Sequence, residues 1–75
     1  MVDLKGYRVI HGQKVLNAVA LEGVIYADDF NEENETIVKP KFLGVLAINE
    51  DGNIVLIHDE AWRFQFIPAL KGGAE

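Results

Sequence analysis

The chain has 75 residues, of which 49% are hydrophobic, and it contains no cysteine. A chain of this length forms one small domain, residues 1–75, and no disulfide framework supports it. Its formal net charge is −5, from 12 acidic and 7 basic residues. This balance argues against binding to nucleic acid or to anionic membranes, because those partners require basic residues that neutralise phosphates.

The two ends of the sequence lack clear structural signals. Residues 1–5 contain neither a basic leader nor a continuous apolar segment, and no apolar stretch approaches the roughly 20 residues that span a bilayer. We therefore expect a cytoplasmic protein with no membrane partner. Residues 1–5 and 69–75 are expected to be frayed.

The first predicted strand covers residues 7–10, and a turn at residues 11–14 follows it, with Gly12 free to adopt a positive φ. Residues 15–26 are ambiguous. As a strand, they place four apolar side chains on one face, namely Val15, Val19, Leu21 and Ile25. Gly23 then marks a bulge or bend in a long curved strand.

The alternative for the same region is a helix over residues 13–22 that packs on an antiparallel sheet, which would give an α+β fold. Alanine and leucine favour this helix locally. However, only Gly12 could cap its start, and glycine is a weaker N-cap than serine, threonine, aspartate or asparagine. The sequence therefore favours the strand.

Residues 28–36 are acidic and carry no apolar period, which predicts an exposed loop. Oxygen-bearing side chains alternate along it at Asp29, Asn31, Glu33 and Glu35. A calcium loop of the EF-hand type would need glycine at its sixth position and glutamate at its twelfth, where Asn34 and Pro40 stand instead. We expect a solvated loop, with no metal and no cofactor.

The clearest structural prediction from the sequence is a β-hairpin over residues 42–58. Two β-branched, apolar segments, residues 42–48 and 54–58, flank a turn that contains Asp51 and Gly52. The preceding residues 37–40 end in a proline, which is typical of an edge strand. A last strand over residues 62–67 directs Trp62, Phe64 and Phe66 to one face.

These segments amount to five strands joined by short turns. Sequential strands usually pair, and closure removes exposed edges, so the prediction is an all-β fold, a small five-stranded antiparallel barrel of the SH3-like or Sm-like kind.

The chain contains few residues that could serve in nucleophilic catalysis. It has no serine and no cysteine, so a serine or cysteine nucleophile with a histidine base is excluded within one chain. His11 and His58 have no spacing signature, and we expect both to be ordinary surface or turn residues. The sequence therefore predicts a protein that is not an enzyme.

The hairpin carries apolar residues on both faces of its strands. An antiparallel strand with one solvent-exposed face should instead alternate apolar and polar residues. Its second face must therefore be covered by the chain's own loops, a second subunit or a partner protein. The leading hypothesis is a small protein-interaction or self-assembly module, with a homo-oligomer or a heterologous protein as partner. Its expected contact residues are Leu46, Ile48, Ile54, Leu56 and Trp62.

Two other functions stay open on sequence grounds. The acidic loop is compatible with an acidic inhibitor or DNA mimic that captures a basic protein, and Trp62, Phe64 and Phe66 are compatible with weak binding of single-stranded nucleic acid. Short acidic chains without serine or cysteine are common among accessory proteins of phages and mobile elements, and we expect a role of that kind.

Overall fold

A computed structural model describes residues 1–69, which are built almost entirely from strands. The all-β class is confirmed, and the helix over residues 13–22 is wrong, because residues 14–22 lie in β3. None of the described residues forms a helix that is long and apolar enough to cross a membrane. The elements are β1 (Val2–Asp3), β2 (Tyr7–His11), β3 (Lys14–Phe30), β4 (Thr36–Ile48), β5 (Ile54–Glu60), the 3-10 helix η1 (Ala61–Arg63) and β6 (Phe64–Pro68).

The strands form one antiparallel sheet with the order β5-β4-β3-β2-β6, and β1 pairs with β3 beside β2. The sheet has six strands rather than five. It is not closed among the described residues, because β5 and β6 each pair with a single strand, so the barrel is not confirmed. The predicted fraying of residues 1–5 is wrong for Val2 and Asp3, which pair with Leu21 and Ala20.

At the other end, the backbone N–H of Ala69 donates to the carbonyl oxygen of Gly6 at 2.7 Å. That hydrogen bond ties the residue after β6 to the turn before β2. The rest of the tail that the sequence predicts to be frayed, residues 70–75, lies outside the described residues.

The core lies on the inner, concave face of the sheet. Val9 and Val45 are completely buried, and Phe64 from β6 is buried beside them. The other buried members of this cluster are Leu16, Ala18 and Ala47. Because these side chains come from β2, β3, β4 and β6, the sheet must curl until its two ends approach each other.

Bulges explain why β3 buries a different set of side chains from the one the alternation predicts. The β3–β4 register shifts between Ala18 and Ala20 and again between Leu21 and Gly23. Each extra residue reverses the alternation of side chains between the two faces. Val15 and Ile25 are exposed, whereas Leu21 between them packs against the core, so the single face predicted for Val15, Val19, Leu21 and Ile25 is wrong. The bulge or bend predicted at Gly23 corresponds to the register shift between Leu21 and Gly23, where Glu22 is the extra residue.

Two hairpin turns share one construction. In the turn of residues 31–35, the side-chain oxygen of Asn31 accepts hydrogen bonds from two backbone N–H groups, and Asn34 adopts a φ of 61°. In the turn of residues 49–53, Asn49 accepts in the same way and Gly52 adopts a φ of 83°. The predicted acidic loop over residues 28–36 is therefore too long, since residues 28–30 and 36 are paired strand residues.

The β3–β4 hairpin extends beyond the rest of the sheet. Pairing of β4 with β5 ends at Phe42, and pairing of β3 with β1 ends at Leu21. Residues 25–42, here called the arm, are consequently a two-stranded ribbon that ends in the acidic turn. A register shift leaves Lys41 unpaired at the foot of the arm. Pro40 is accommodated next to it because β4 is an edge strand there, as the sequence predicts.

Candidate interaction surface

The outer face of the β4–β5 hairpin carries four apolar side chains in two cross-strand pairs. Leu46 lies opposite Leu56, and Ile48 lies opposite Ile54. Because side chains of a strand alternate between faces, all four residues lie on the same side of the sheet. We call these four residues the hairpin face. Four of the five contact residues predicted from the sequence are therefore brought together.

Exposure shows that the hairpin face is open to solvent. Ile54 is 65% exposed and Leu56 is 48% exposed, while Leu46 and Ile48 are half-buried. On the opposite face of the same strands, Val45 and Ala47 are fully buried and Ile57 packs against the core. The uninterrupted apolar run in β5 thus has one side in the core and one side that no segment of residues 1–69 covers.

The hairpin face adjoins a free sheet edge. β5 pairs with β4 along Ile54–Glu60, and its other edge has no strand partner within the described part of the chain. A free edge presents backbone N–H and C=O groups that can pair with another strand. When a partner adds a strand to a sheet, hydrogen bonds at the free edge give affinity, and contacts with the neighbouring side chains give specificity. The free edge and the apolar side chains of β5 offer both.

A polar boundary limits the hairpin face on the side that leads to the arm. His58 and Glu22 meet there, with His58 Nε2 3.6 Å from Glu22 Oε1. Both side chains lie against Gly44, where an added Cβ would be only 2.7 Å from His58 Cδ2 and 2.8 Å from Glu22 Oε1. Glycine at position 44 therefore gives this pair the room to cross the sheet surface.

Trp62, the fifth predicted contact residue, lies elsewhere. It belongs to η1 rather than to the last strand, which begins at Phe64, so the predicted strand over residues 62–67 and its shared aromatic face are wrong at Trp62. Trp62 is 70% exposed, donates its indole N–H to Glu60 at 2.8 Å, and packs against the Arg63 guanidinium. It lines a hollow with Ala27 and Pro40 at the foot of the arm.

A polar cluster joins the two ends of the curled sheet. His11 Nε2 lies 2.8 Å from Asp59 Oδ2, which connects β2 with β5, and Phe64 stacks on the imidazole at a centroid distance of 4.9 Å. The hydrogen bond from His11 lowers the pKa of Asp59 below its ordinary value, with help from the Glu60 backbone N–H and the Arg63 charge. The expectation that His11 is an ordinary surface or turn residue is therefore wrong.

Sequence reasoning missed this cluster because His11 and Asp59 are 48 residues apart and no spacing rule relates them. The same reasoning also missed Val15. Its partner on β2 is Ile10, and the neighbouring residue on the same face, Asn17, pairs with Ile48. Val15 therefore extends the outer apolar surface beyond the hairpin face, and only the register of β3 with β2 and β4 reveals it.

Comparisons with known proteins give no match: no family model fits the sequence, and no curated protein or solved structure is significantly similar to it. By its geometry the chain is a small all-β domain with an open sheet, an exposed apolar hairpin face and a projecting arm.

Proposed function

We propose that this chain is a non-enzymatic protein-interaction or self-assembly module, and that the hairpin face is its contact surface. The observation that carries the proposal is the pairing of Leu46 with Leu56 and of Ile48 with Ile54 on the side of the sheet that the core does not use. A continuous apolar patch at a free sheet edge is a common feature of protein-binding surfaces.

The energetics favour burial of this face against another protein. Complete burial of a leucine or isoleucine side chain stabilises by about 1.5–3 kcal/mol relative to leaving it in water. Ile54 and Leu56, which are about half or more exposed, would each contribute a substantial part of that amount. No carboxylate or basic group belongs to the four residues, so contact with an apolar surface leaves no charge of their own buried without a partner.

Solution mass over a hundredfold concentration range, measured by light scattering after size exclusion, tests the proposal. We expect the parent chain to associate and Ile54→Asp/Leu56→Asp to be monomeric, because charged side chains cannot be buried in an apolar contact. Asn53→Asp is the matched control, since it adds negative charge next to Ile54 without removing apolar area. It should associate like the parent.

The circular dichroism spectrum and melting temperature of each variant show whether it folds. Unfolding of both Ile54→Asp and Leu56→Asp would assign these residues to the core and remove the proposal's main support. A folded double variant that associates as strongly as the parent would exclude the hairpin face as the contact. A parent chain that stays monomeric would contradict self-assembly, and a heterologous partner retained by the parent but not by the double variant would then be the supporting result.

A further inference from the structure

The inner side of β5 is less completely covered than the inner side of β4. Val45 and Ala47 of β4 are fully buried, whereas their partners on β5, Ile57 and Val55, are only half-buried. A hollow of about 530 Å³ lies beside Ile57 and Val55, and residues of the turn between β2 and β3 also line it. Its volume is within the range of about 300–1,000 Å³ that is usual for binding pockets. The apolar core therefore ends at β5 with side chains that an additional strand would cover.

Every second residue of β5 directs its backbone N–H and C=O groups away from β4. The N–H of Asn49 donates to the carbonyl oxygen of Asn53 at 2.9 Å, so these two residues are a hydrogen-bonded pair of the β4–β5 ladder. Such pairs alternate with non-hydrogen-bonded pairs, so Ile54, Leu56 and His58 belong to the second kind. Their N–H groups point to the free edge of β5 and have no hydrogen-bond partner within the part of the chain that the structure describes.

The edge of β5 lacks the features that usually protect a free edge. Lysine, proline and bulges hinder the pairing of an exposed edge with another chain. Elsewhere in the sheet, β4 contains Lys39, Pro40 and Lys41 where it forms an edge, and β6 ends in Pro68. Residues 54–58 contain neither lysine nor proline, and their pairing with β4 is regular throughout. This edge is therefore an open template for a further strand.

Negative charge is in excess at both ends of this edge. Each end carries two carboxylates and one basic side chain, which gives a net charge of −1 at each. These residues are Glu50, Asp51 and Lys14 at the end beside the turn, and Asp59, Glu60 and Arg63 at the other end. A second copy of β5 is an unsuitable occupant, because antiparallel pairing centred on Leu56 places Glu60 of one copy close to Asp51 of the other. A strand with basic residues at its ends is favoured instead.

We propose that the edge of β5 at residues 54–58 binds an extended segment of another protein, which adds to the sheet as a further strand. The segment is apolar in its central residues and carries lysine or arginine at its ends. Alternate side chains of the segment fill the hollow beside Val55 and Ile57, and the others lie beside the hairpin face. The added strand ends before Asp59, which His11 binds. This inference rests on the proposed function in taking β5 as a contact strand, and it adds the chemistry of the partner.

A labelled synthetic peptide tests the proposal by fluorescence anisotropy. The centre of the peptide is five alternating valine and isoleucine residues, and two lysines stand at each end. We expect the parent chain to bind it saturably, with one peptide to one chain. The same peptide with glutamate in place of lysine is the matched control. It should bind at least about tenfold more weakly, because both ends of the edge are negatively charged, and high salt should reduce this difference.

Methylation of the backbone amides of the peptide separates strand addition from packing on the hairpin face. In an added strand, every second residue directs its N–H towards β5, and the others direct theirs to solvent. Two peptides are methylated on alternate sets of central amides. One of them should bind at least about tenfold more weakly, because its hydrogen bonds to the edge are lost, and the other should bind like the unmodified peptide. This comparison uses only the parent chain, so it does not depend on the folding of a variant.

His58→Pro tests the same edge from the side of the protein. Proline removes an N–H that points to the free edge without removing a hydrogen bond to β4, and we expect binding of the lysine-flanked peptide to weaken at least about tenfold. His58→Thr is the matched control. It keeps the N–H and should bind like the parent, since the imidazole makes only an exposed contact with Glu22. Circular dichroism shows whether both variants fold.

Four results would overturn the inference. The first is a parent chain that does not bind the lysine-flanked peptide. Equal effects of the two methylation patterns would show that the peptide packs on a face and adds no strand. Equal or tighter binding of the glutamate-flanked peptide would contradict the charge inferred for the partner. Loss of self-association in His58→Pro but not in His58→Thr would assign the edge to a second copy of the chain.

Failure of the proposed function is seen in a different measurement, the solution mass of the parent and of Ile54→Asp/Leu56→Asp. A parent chain that self-associates through the hairpin face and does not bind the peptide would support the proposed function and exclude strand addition. A parent chain that binds the peptide in the expected methylation pattern, while the double variant associates as strongly as the parent, would support strand addition and exclude the hairpin face as the self-association contact.

Discussion

Asn34 occupies the position of the acidic turn that Gly52 occupies in the β4–β5 turn. Both residues have a positive φ, 61° for Asn34 and 83° for Gly52. A side chain with a Cβ is strained in this region, and asparagine tolerates it better than most other residues do. The chain therefore contains the same kind of turn twice, and the acidic turn is the energetically less favourable of the two.

We predict that Asn34→Gly stabilises the folded chain by up to about 1 kcal/mol, since relief of strain at positive φ exceeds the extra entropy of glycine in the unfolded state. The reciprocal control, Gly52→Asn, should destabilise it by a similar amount, because an added Cβ at Gly52 meets no neighbouring atom within 4 Å and the cost is one of φ alone. Urea unfolding of both variants measures the difference. A destabilised Asn34→Gly would contradict this account of the turn.

At the scale of elements, the arm and the body of the sheet differ in how their strands are held. Asn17, Ala20 and Leu21 of β3 have strands on both sides, namely β4 on one side and β2 or β1 on the other, whereas residues 26–30 pair with β4 alone. A strand paired on one side leaves every second backbone group without a ladder partner. The arm should therefore open locally more often than the body does.

Hydrogen exchange measured residue by residue by NMR tests this expectation. Hydrogen-bonded amides of residues 26–30 and 36–40 should exchange at least about tenfold faster than those of β3 next to β2, because local opening of the arm disturbs none of the buried core. Uniform protection over arm and body would contradict a separately opening arm.

At the scale of the whole molecule, the open sheet is held in its curled shape by the core and by the contact between His11 and Asp59. The pKa of Asp59 is lowered in the folded chain, chiefly by the His11 hydrogen bond, so folding favours the ionised carboxylate. The resulting stabilisation is complete above the ordinary pKa of 3.8 and is lost as the pH falls through the lowered value.

We expect Asp59→Asn to reduce stability at neutral pH and to make the acid-induced loss of stability below about pH 4 shallower than in the parent. Asp51→Asn, which removes an exposed turn carboxylate, is the control and should follow the parent curve. Urea unfolding at a series of pH values measures both effects. Parallel curves for Asp59→Asn and the parent would show that the contact with His11 contributes nothing to folding.

Local chemistry is enough to predict the class of fold and the turns of this chain. Gly12 has the positive φ that a two-residue hairpin turn needs, and Gly52 has the positive φ expected between residues 42–48 and 54–58. The contact residues on the hairpin follow from the same alternation, since Leu46 and Ile48 lie two residues apart, as do Ile54 and Leu56. Within a strand that contains no bulge, the two-residue period of the backbone determines which side chains share a face.

Tertiary structure decided everything that depends on register or on distant contacts. Bulges at Val19 and Glu22 changed which side of β3 is buried, and their positions depend on pairing with β4 rather than on the sequence of β3 alone. The partnership of His11 with Asp59 required the sheet to curl, and the arm exists because β5 ends its pairing at Phe42. By itself the sequence determined most of the strands, the turns at Gly12 and Gly52 and the shared face of the hairpin, because these depend on neighbours in the chain. The open sheet, the buried side of β3 and the projecting arm depend on how whole strands align.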